Sequence, residues 1–260
     1  MTNFCTLYSS SSGNCTLISD KDTNILIDAG VSASKICDSL NEAGICPDEI
    51  DAILVTHEHS DHICGLRVFC KKYNTPVYAS EKTAEKISET FPDIPAGNLH
   101  AVSPSGVFKI RSMTVKAFQT PHDSSEPYGY CIWSEEKKYC VATDTGKITQ
   151  AMLTNLAGAE AVLIESNHDE EMLKNGPYPY VLKKRILSDE GHLSNSSCAW
   201  LSTQLALWGT KRIILGHLSE KNNTPEKAYE CSKNLLEANG FKVGSDVILK
   251  VAPKSELCNI

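Results

Sequence analysis

The feature that most constrains this chain is a cluster of histidines that directly follows a short apolar segment. Residues 53–55 read Ile-Leu-Val, and His57, His59, Asp61 and His62 come next. The β-branched, apolar start predicts a buried strand. Side chains two positions apart in an extended chain point to the same side, so His57 and His59 can converge on one cation. Asp61 and His62 are placed to reach a second cation, and imidazole with carboxylate is a donor set that Zn, Mn and Fe use.

A polar loop that happens to be rich in histidine is the alternative for this run. Such donors at fixed offsets arise by chance in about one of several thousand chains of this length, which favours the metal site. The pattern His57-x-His59-x-Asp61-His62 after an apolar strand resembles the signature of the metallo-β-lactamase-fold hydrolases. That resemblance covers nearly the whole chain. It implies an α/β (α+β) fold, the four-layer αβ/βα sandwich, with two metals at one edge.

Length and composition agree with such a fold. The chain has 260 residues, of which 41% are hydrophobic and 22% charged, enough for one large domain or two small ones. We see no linker or short repeat, and each half runs from strands to helices with polar residues at strand tips, so we expect one domain over residues 1–260. The net charge of −7 excludes a global basic field for nucleic acid but not a local basic groove.

Targeting signals and cysteines bear on the compartment. The chain begins without a cationic segment followed by an apolar run, and no apolar stretch approaches the ~18 residues of a membrane span. We therefore expect no signal peptide and no membrane association. The 11 cysteines are scattered without a Cys-x-x-Cys pair. They predict small buried hydrophobic residues in a reducing cytoplasm rather than a disulfide framework or a cysteine-bound metal cluster.

Donor residues also follow other predicted strands. His122 stands just past the predicted strand Met113–Phe118, which makes it a candidate third ligand, with a capped turn as the alternative. The resemblance implies that Asp144, at a strand tip, bridges the two metals and that His217 is the last ligand. It also implies that Asp28 supports the metal loop without binding metal, which agrees with a turn residue that accepts bonds from nearby N–H groups.

Together these residues give a complete two-metal assignment. In it His57, His59 and His122 bind one cation, Asp61, His62 and His217 bind the second, and Asp144 bridges the two. Two divalent ions, Zn, Mn or Fe, would lower the pKa of a shared water toward neutrality, and the resulting hydroxide would act as the nucleophile. A closed structural site would not need ligands from so many distant segments, so the pattern predicts a metal-dependent hydrolase.

A second group of residues is predicted to take part in catalysis. Glu165 ends an apolar strand, where a carboxylate is costly to bury unless it is paired. Glu165 with His192 resembles the catalytic partners of the tRNA 3′-processing nucleases of this fold, although the family's His-Ser-Thr reads His192-Leu193-Ser194 here. His192 would protonate a leaving alkoxide, with Glu165 orienting it and Asp61 completing the catalytic set. His168 stays open as an extra ligand, a phosphate contact or a turn residue.

The substrate prediction rests on the loop from residue 9 to residue 14 and on a basic run. The letters Ser-Ser-Gly-Asn resemble the opening of the bacterial YycJ/WalJ-type proteins, a subgroup described as acting on DNA ends, which implies a 5′ exonuclease-like nuclease with DNA as its partner. The loop is either a hairpin connection or a phosphate site, and the basic run is either a solvated helix face or a contact to the nucleic-acid backbone. The candidate substrate contacts are Ser12, Asn14, Lys183, Lys184, Arg185, Ser194 and Asn195.

Three other functions stay open. Hydrolysis of a small ester, lactone or cyclic phosphodiester predicts a shallow mouth without a basic groove. Oxygen chemistry at two irons is disfavoured because flavodiiron proteins carry Glu where this chain has His59, together with a flavin domain that we do not find here. A non-catalytic, metal-dependent binding module predicts that the metal-loaded protein cleaves neither DNA nor bis-p-nitrophenyl phosphate. The pattern chooses neither the native metal nor an oligomeric state.

Several segments carry expectations about local structure only. Residues Ile63–Tyr73 and Tyr178–Ile186 are each expected to form one helix. Residues Asp93–Gly106 are expected to form a Pro/Gly-rich connection. The tail after Val251 carries no signal.

Overall fold

The computed structural model describes residues 2–259. Contacts within the chain divide it into two compact units. Unit 1 comprises the described residues up to Gln119 together with Ser124–Glu136 and Pro253–Asn259, and unit 2 comprises Thr120–Asp123 and Lys137–Ala252. The single domain expected over residues 1–260 stays a prediction.

Unit 1 contains a mixed sheet of seven strands. In spatial order these are β14 (Cys258–Asn259), β1 (Asn3–Ser10), β2 (Gly13–Ser19), β3 (Asn24–Ile27), β4 (Ala52–Leu54), β5 (Val77–Ser80) and β6 (Leu99–Val102). Neighbouring strands are antiparallel from β14 to β3 and parallel from β3 to β6. A further antiparallel set in this unit comprises β7 (Val107–Ile110), β8 (Met113–Gln119) and β9 (Tyr128–Ser134).

Four helices complete unit 1. They are α1 (Ala33–Glu42), α2 (Ser60–Ile63), α3 (Leu66–Tyr73) and α4 (Glu81–Thr90). Apolar residues of the sheet and of these helices, among them Leu26, Ile53 and Phe69, are fully buried in one core cluster. The strands of the seven-stranded sheet near β3 and β4 are buried on both faces, which explains their continuous apolar sequence.

The register of β3 and β4 determines where the histidine run begins. Ile27 lies opposite Leu54 in this parallel pair, so Asp28 and Val55 leave the sheet at the same edge. The Asp28 N–H donates to the Leu54 carbonyl at 2.8 Å. The Val55 carbonyl accepts from the Tyr130 hydroxyl, also at 2.8 Å. The sheet therefore delivers Asp28 to the segment that carries the predicted ligands.

Two expectations for unit 1 were wrong. The helix predicted over Ile63–Tyr73 is two helices, because the Gly65 N–H donates to the Ala29 carbonyl (2.8 Å) instead of continuing the ladder of α2. The connection predicted over Asp93–Gly106 contains β6. That strand has exposed and half-buried side chains without apolar alternation, so its sequence gives no strand signal. The tail, likewise without a signal, supplies β14.

Unit 2 is built on parallel strands. Their spatial order is β13 (Ile248–Val251), β12 (Arg212–Gly216), β11 (Ala161–Glu165) and β10 (Lys137–Ala142). The helices are α5 (Gln150–Leu156), α6 (Glu170–Asn175), α7 (Tyr180–Ile186), α8 (Asn195–Leu207) and α9 (Pro225–Ala238). Ala142 lies opposite Ile164, and Glu165 lies opposite Gly216. The carboxyl ends of β10, β11 and β12 therefore meet at one edge, where ligands bind in parallel α/β sheets.

The remaining expectations concern α7 and the membrane. The helix predicted from Tyr178 begins at Tyr180, after Pro177 and Pro179, because a residue before proline is biased away from helical geometry. Among residues 2–259, no helix has both the length and the apolar character that a bilayer crossing requires.

Candidate metal centre and catalytic site

The histidine run forms a compact group in unit 1, which we call the unit 1 cluster and which consists of His57, His59, Asp61 and His62. The chain leaves β4 and turns into α2, for which His59 is the N-terminal cap residue. His57 Nε2 lies 3.0 Å from His59 Nδ1, and the rings of His57 and His62 are 4.1 Å apart. Asp61 Oδ2 lies 3.5 Å from His62 Nε2. The turn from strand to helix thus gathers the predicted donors in one place.

Asp28 and Thr56 hold two of these imidazoles from behind. Asp28 Oδ2 lies 2.8 Å from His62 Nδ1, and the same carboxylate accepts from the Thr56 N–H (2.8 Å) and the Thr56 hydroxyl (2.9 Å). Thr56 Oγ1 lies 3.1 Å from His57 Nδ1. With Nδ1 of both rings engaged, Nε2 is the atom directed into the cluster. A carboxylate behind the ring is the usual support of a metal-binding histidine.

Asn14 and Gly30 fix the backbone beneath the cluster. The buried Asn14 amide nitrogen donates to the Asp61 carbonyl (3.3 Å) and lies 3.2 Å from His62 Nε2. A Cβ at Gly30 would lie 1.7 Å from the Asp61 carbonyl oxygen, so only glycine lets the two segments pass this closely. Ser12 lies in the exposed turn between β1 and β2. The substrate-binding roles of Asn14 and Ser12 stay predictions. Asn14 also has a structural role, because it holds the backbone of Asp61.

Glu58 is a residue of the site that the sequence patterns did not identify. It stands between His57 and His59, yet its carboxylate accepts from the Ser125 N–H and hydroxyl, both at 2.7 Å, and from the Thr83 hydroxyl at 3.2 Å. Burial acts to raise the pKa of Glu58, but these hydrogen bonds outweigh it and hold the pKa below its usual range. Glu58 therefore ties the histidine loop to the segment before β9. An acidic residue between two candidate ligands, His57 and His59, is the sequence signal that could have identified it.

Unit 2 gathers a second group, which we call the unit 2 cluster and which consists of His122, Asp144, Glu165, His192 and His217. Asp144 Oδ1 lies 3.2 Å from His217 Nε2, 3.8 Å from His122 Nε2 and 3.7 Å from His192 Nδ1. One donor atom from each of Asp144, Glu165, His192 and His217 lies within 4.8 Å of the others. The residues come from the ends of β10, β11 and β12 and from two loops. The shared edge of the parallel strands therefore brings them together.

His122 is positioned by a backbone contact. Its Nδ1 lies 3.0 Å from the Gly191 carbonyl, which directs Nε2 toward Asp144. A Cβ at Gly191 would lie 2.2 Å from the Ile186 carbonyl oxygen, so the turn that presents this carbonyl requires glycine. The Asp123 N–H donates to the Glu190 carbonyl at 3.1 Å and holds the two loops side by side.

Three of the predicted site residues have left-handed backbone conformations. Asp28 has φ 62°, Asp144 has φ 55° and His217 has φ 53°. Such values are uncommon outside glycine, and Asp and His are among the residues that tolerate them best. Asp28 and His217 directly follow the last residues of β3 and β12, and Asp144 follows β10 closely. A sharp turn past each strand thus directs the side chain, and strained backbone of this kind concentrates at functional sites.

Glu165 and His192 form a closely paired carboxylate and imidazole. His192 Nδ1 lies 2.6 Å from Glu165 Oε1, while Glu165 Oε2 accepts from the Thr145 N–H (3.0 Å) and the Leu193 N–H (3.3 Å). Burial acts to lower the pKa of His192, but the negative charge of Glu165 and the hydrogen bond to it outweigh burial and raise the pKa to about 9. His192 is therefore able to carry a proton at neutral pH, as a general acid must.

His168 is buried without a side-chain partner. It is 1% exposed, and neither ring nitrogen has a hydrogen-bond partner among residues 2–259. Burial lowers the pKa of His168 to about 4, and the opposing charge of Glu165 does not compensate. Its backbone carbonyl is engaged, because it accepts from the Asn195 N–H at 2.8 Å. Buried polar groups in folded proteins nearly always have a partner, so the imidazole is available to a ligand.

Two predicted substrate contacts have structural partners. The Ser194 hydroxyl caps α8 by accepting from the Ser197 N–H at 3.2 Å. The Asn195 side chain is buried and accepts from the Ser166 hydroxyl (2.7 Å) and donates to Asn223 (2.9 Å). Their roles in substrate binding stay predictions, and the structure gives each of them another task.

The predicted basic run lies on α7. Arg185 is paired with the carboxylate of Asp123, with Arg185 Nη2 at 2.9 Å from Asp123 Oδ1. Lys183 Nζ donates to the Lys174 carbonyl at 2.7 Å. Lys184 is exposed, and within the described chain it forms no ion pair or side-chain hydrogen bond. Of the three cations, Lys184 is thus the most available to a substrate and Arg185 is the least.

The donor sets of both clusters fit divalent transition metals. Two imidazole nitrogens bound to one tetrahedral Zn²⁺ at ~2.0–2.1 Å lie about 3.3 Å apart, close to the 3.0 Å between His57 and His59. In the unit 2 cluster, Asp144 lies against His217 at 3.2 Å. Imidazole and carboxylate without thiolate are suited to Zn, Mn or Fe.

Known proteins similar to this chain identify its family. The chain matches the profile of the beta-lactamase superfamily domain over residues 23–218, a range that includes every predicted ligand from His57 to His217. The exodeoxyribonuclease YycJ of Bacillus anthracis is 39% identical over 93% of this chain and 91% of that protein. The exodeoxyribonuclease WalJ of Streptococcus pneumoniae serotype 2 is 38% identical over 92% of this chain and 90% of that protein.

A solved structure supports the fold independently. The metallo-beta-lactamase fold protein YhfI from Bacillus subtilis superimposes with a TM-score of 0.76 at 14% identity, over 99% of each chain. The predicted fold class, the αβ/βα sandwich, is confirmed by this match together with the family profile. The predicted enzyme class, a metal-dependent hydrolase, is confirmed by the family and its relatives. The chain belongs to the beta-lactamase superfamily, and within it to the YycJ/WalJ group of metallo-β-lactamase-fold hydrolases.

Proposed function

We propose that this hydrolase is a two-metal phosphodiesterase that degrades DNA as a 5′ exonuclease. The observation that carries the proposal is the Glu165–His192 pair, which lies against Asp144 in the unit 2 cluster. An imidazole held by a carboxylate next to a metal ligand is suited to protonate an alkoxide leaving group. Alkoxides are the leaving groups of the phosphodiesters in DNA, whereas esters with activated aryl leaving groups need such an acid less. The names of the relatives YycJ and WalJ, both exodeoxyribonucleases, support the same substrate.

The proposed site combines the two clusters. His57, His59 and His122 would hold one ion, Asp61, His62 and His217 would hold the other, and Asp144 would bridge them. Each cluster supplies only part of this set, and the family match spans both. When bound, the ions would supply an activated water and stabilise negative charge on the phosphoryl oxygens.

The side chains of this protein would perform the remaining tasks. Glu165 accepts from His192 through Nδ1, which leaves Nε2 as the atom that donates a proton to the leaving oxygen. Asp28 and Thr56 keep the imidazoles of His57 and His62 in the orientation that presents Nε2. His168, whose ring nitrogens have no partner among the described residues, would contact either a cation or a substrate phosphate.

The cellular setting is part of the proposal. All eleven cysteines are free, which agrees with a reducing cytoplasm. DNA is the proposed macromolecular partner, and Lys184 is the cation on α7 that forms neither an ion pair nor a side-chain hydrogen bond within the described chain.

A substrate panel tests this function. Protein stripped with a chelator and reloaded with Mn²⁺ or Zn²⁺ is given 5′- and 3′-end-labelled duplex DNA, bis-p-nitrophenyl phosphate and an aryl ester. We expect metal-dependent release of mononucleotides from the 5′ end, lost in His217→Ala and retained in His100→Ala, an exposed histidine of β6 outside both clusters. Ester cleavage with intact DNA would instead support the small-molecule hydrolase, and no cleavage of any substrate would support a binding module.

A further inference from the structure

We propose that a groove along α7 binds single-stranded DNA, with Tyr180 stacking on a base and lysines contacting the phosphates. This inference rests on the proposed nuclease function and names the form of DNA that the protein holds. The groove, which we call the α7 groove, encloses about 450 Å³. It is lined by Lys174, Tyr180, Lys183, Lys184, Leu187 and Ser188.

The α7 groove follows one face of the helix. Tyr180, Lys183, Lys184 and Leu187 stand at positions i, i+3, i+4 and i+7, which place their side chains along a single stripe. In most surface helices such a stripe is apolar and buried. Here Tyr180 is 79% exposed and Leu187 is 51% exposed. The only buried residue of α7 is Ile186, so the core does not account for the stripe.

The charges around the groove favour a polyanion. Three of its six lining residues are lysines, and none is acidic, although the whole chain has a net charge of −7. Two carboxylates of neighbouring residues are already paired, since Asp189 lies 2.7 Å from Lys147 Nζ and Glu171 lies 3.0 Å from Lys174 Nζ. The second pair is exposed, so it contributes little to stability and leaves Lys174 able to exchange its partner for a phosphate.

The groove is joined to the catalytic pair through a short turn. The His192 N–H donates to the Ile186 carbonyl at 3.0 Å, and the Gly191 N–H donates to the Ser188 carbonyl at 2.9 Å. The same Gly191 presents its carbonyl to His122. A strand lying in the α7 groove is therefore held on the element that positions two residues of the unit 2 cluster.

A second groove shows why the occupant of the first is nucleic acid. It encloses about 380 Å³ and is also built around a tyrosine, Tyr229, but Glu226 and Glu230 line it together with a single lysine. Both grooves could accept an aromatic or apolar group, but only the α7 groove combines the ring with several lysines and no carboxylate in its lining. Stacking on an aromatic ring beside backbone-neutralising lysines is how proteins bind single strands without sequence preference. Duplex DNA, whose bases are already stacked, would not use Tyr180 in this way.

The test measures DNA binding without catalysis. The 260-residue chain in EDTA is titrated with fluorescein-labelled oligothymidylate of about 10 nucleotides, a length within the usual range of single-strand sites. We expect Tyr180→Ala to weaken binding about tenfold, and Tyr180→Phe to bind within about twofold of wild type, because the ring is retained. Lys184→Ala should reduce the slope of log Kd against log salt by about 0.7. Tyr229→Ala is the matched control and should bind as wild type does.

Photo-crosslinking adds a readout that does not depend on affinity. An oligonucleotide with 5-iododeoxyuridine should crosslink to Tyr180, located by mass spectrometry. The groove inference is overturned if wild type does not bind the strand, if Tyr180→Ala binds equally well, or if the protein binds phosphatidylserine vesicles instead. Cleavage of DNA by wild type together with unchanged binding by Tyr180→Ala would end this inference alone. Binding through Tyr180 without any metal-dependent cleavage would end the proposed nuclease function and leave the groove.

Discussion

The two clusters of candidate ligands are built in opposite ways. All four residues of the unit 1 cluster come from one run of six positions, from His57 to His62. The residues of the unit 2 cluster come from positions between 122 and 217, and the parallel edge of β10, β11 and β12 assembles them. The first cluster is thus a local motif supported by distant residues. The second exists only because a sheet aligns its strand ends, so no single short segment of the sequence contains it.

The supports differ in the same way. In unit 1 a side chain, Asp28, lies behind His62 at 2.8 Å. In unit 2 a backbone carbonyl, that of Gly191, lies behind His122 at 3.0 Å. A side-chain support can be removed by substitution without moving the chain, whereas a backbone support cannot. The unit 1 cluster is therefore the one in which support and ligand can be tested separately.

The largest expected effect comes from removing one carboxylate from each cluster. We expect Asp61→Ala and Asp144→Ala each to lower kcat for bis-p-nitrophenyl phosphate by about a thousandfold, because each carboxylate would hold a cation of the same site. For that reason the double variant should be no worse than either single one. Measurements of kcat, with the metal content of each variant determined in parallel, check this prediction. The surface carboxylate variant Asp93→Ala is the control. Multiplying losses, or activity within about threefold of wild type in either single variant, would contradict a shared site.

The next effect separates the catalytic pair from the ligands. We expect His192→Ala to slow cleavage of DNA by roughly 100- to 1,000-fold and cleavage of an activated aryl phosphodiester far less, because only the alkoxide leaving group needs a proton. Glu165→Gln should change the two rates in the same direction as His192→Ala does, with the larger loss on DNA, since Glu165 acts through His192. Rates on the two substrates, compared within each variant, check this. Equal losses on both would exclude His192 as the general acid.

The smallest of the three effects concerns the support of the unit 1 cluster. We expect Asp28→Asn to weaken metal binding by about 10- to 100-fold, because a neutral amide does not raise the basicity of the His62 imidazole as the carboxylate does. Asparagine also tolerates the left-handed backbone of this position, so the change removes charge and little else. Isothermal titration with Zn²⁺ checks the loss. Asp20→Asn, in a turn where Asp20 is bonded to Ser112 and Ser134, is the matched control, and an equal loss there would show a general destabilisation.

Some features of the molecule could be predicted from the sequence because they depend on local chemistry. Strand β4 and the donors after it follow from apolar β-branched residues and the offsets of the histidines. Glu165 is conspicuous in the sequence because a buried carboxylate at a strand end needs a partner, and in the structure His192 Nδ1 lies 2.6 Å from it. In contrast, the break between α2 and α3 depends on a hydrogen bond from Gly65 to Ala29. Such a long-range contact overrides a helical pattern without any trace in the segment itself.

The sequence by itself determined the chemical identity of the donors, because imidazole and carboxylate are properties of residues and their spacing within one turn is local. It also determined that both halves would contain buried strands with polar ends, since apolar runs and polar tips are written in order along the chain. Only the tertiary structure decided that Arg185 forms an ion pair with Asp123 while Tyr180 and Lys184 remain exposed. The physical reason is that ion pairing and exposure depend on which groups pack against a side chain, and those groups come from segments tens of residues away in the sequence.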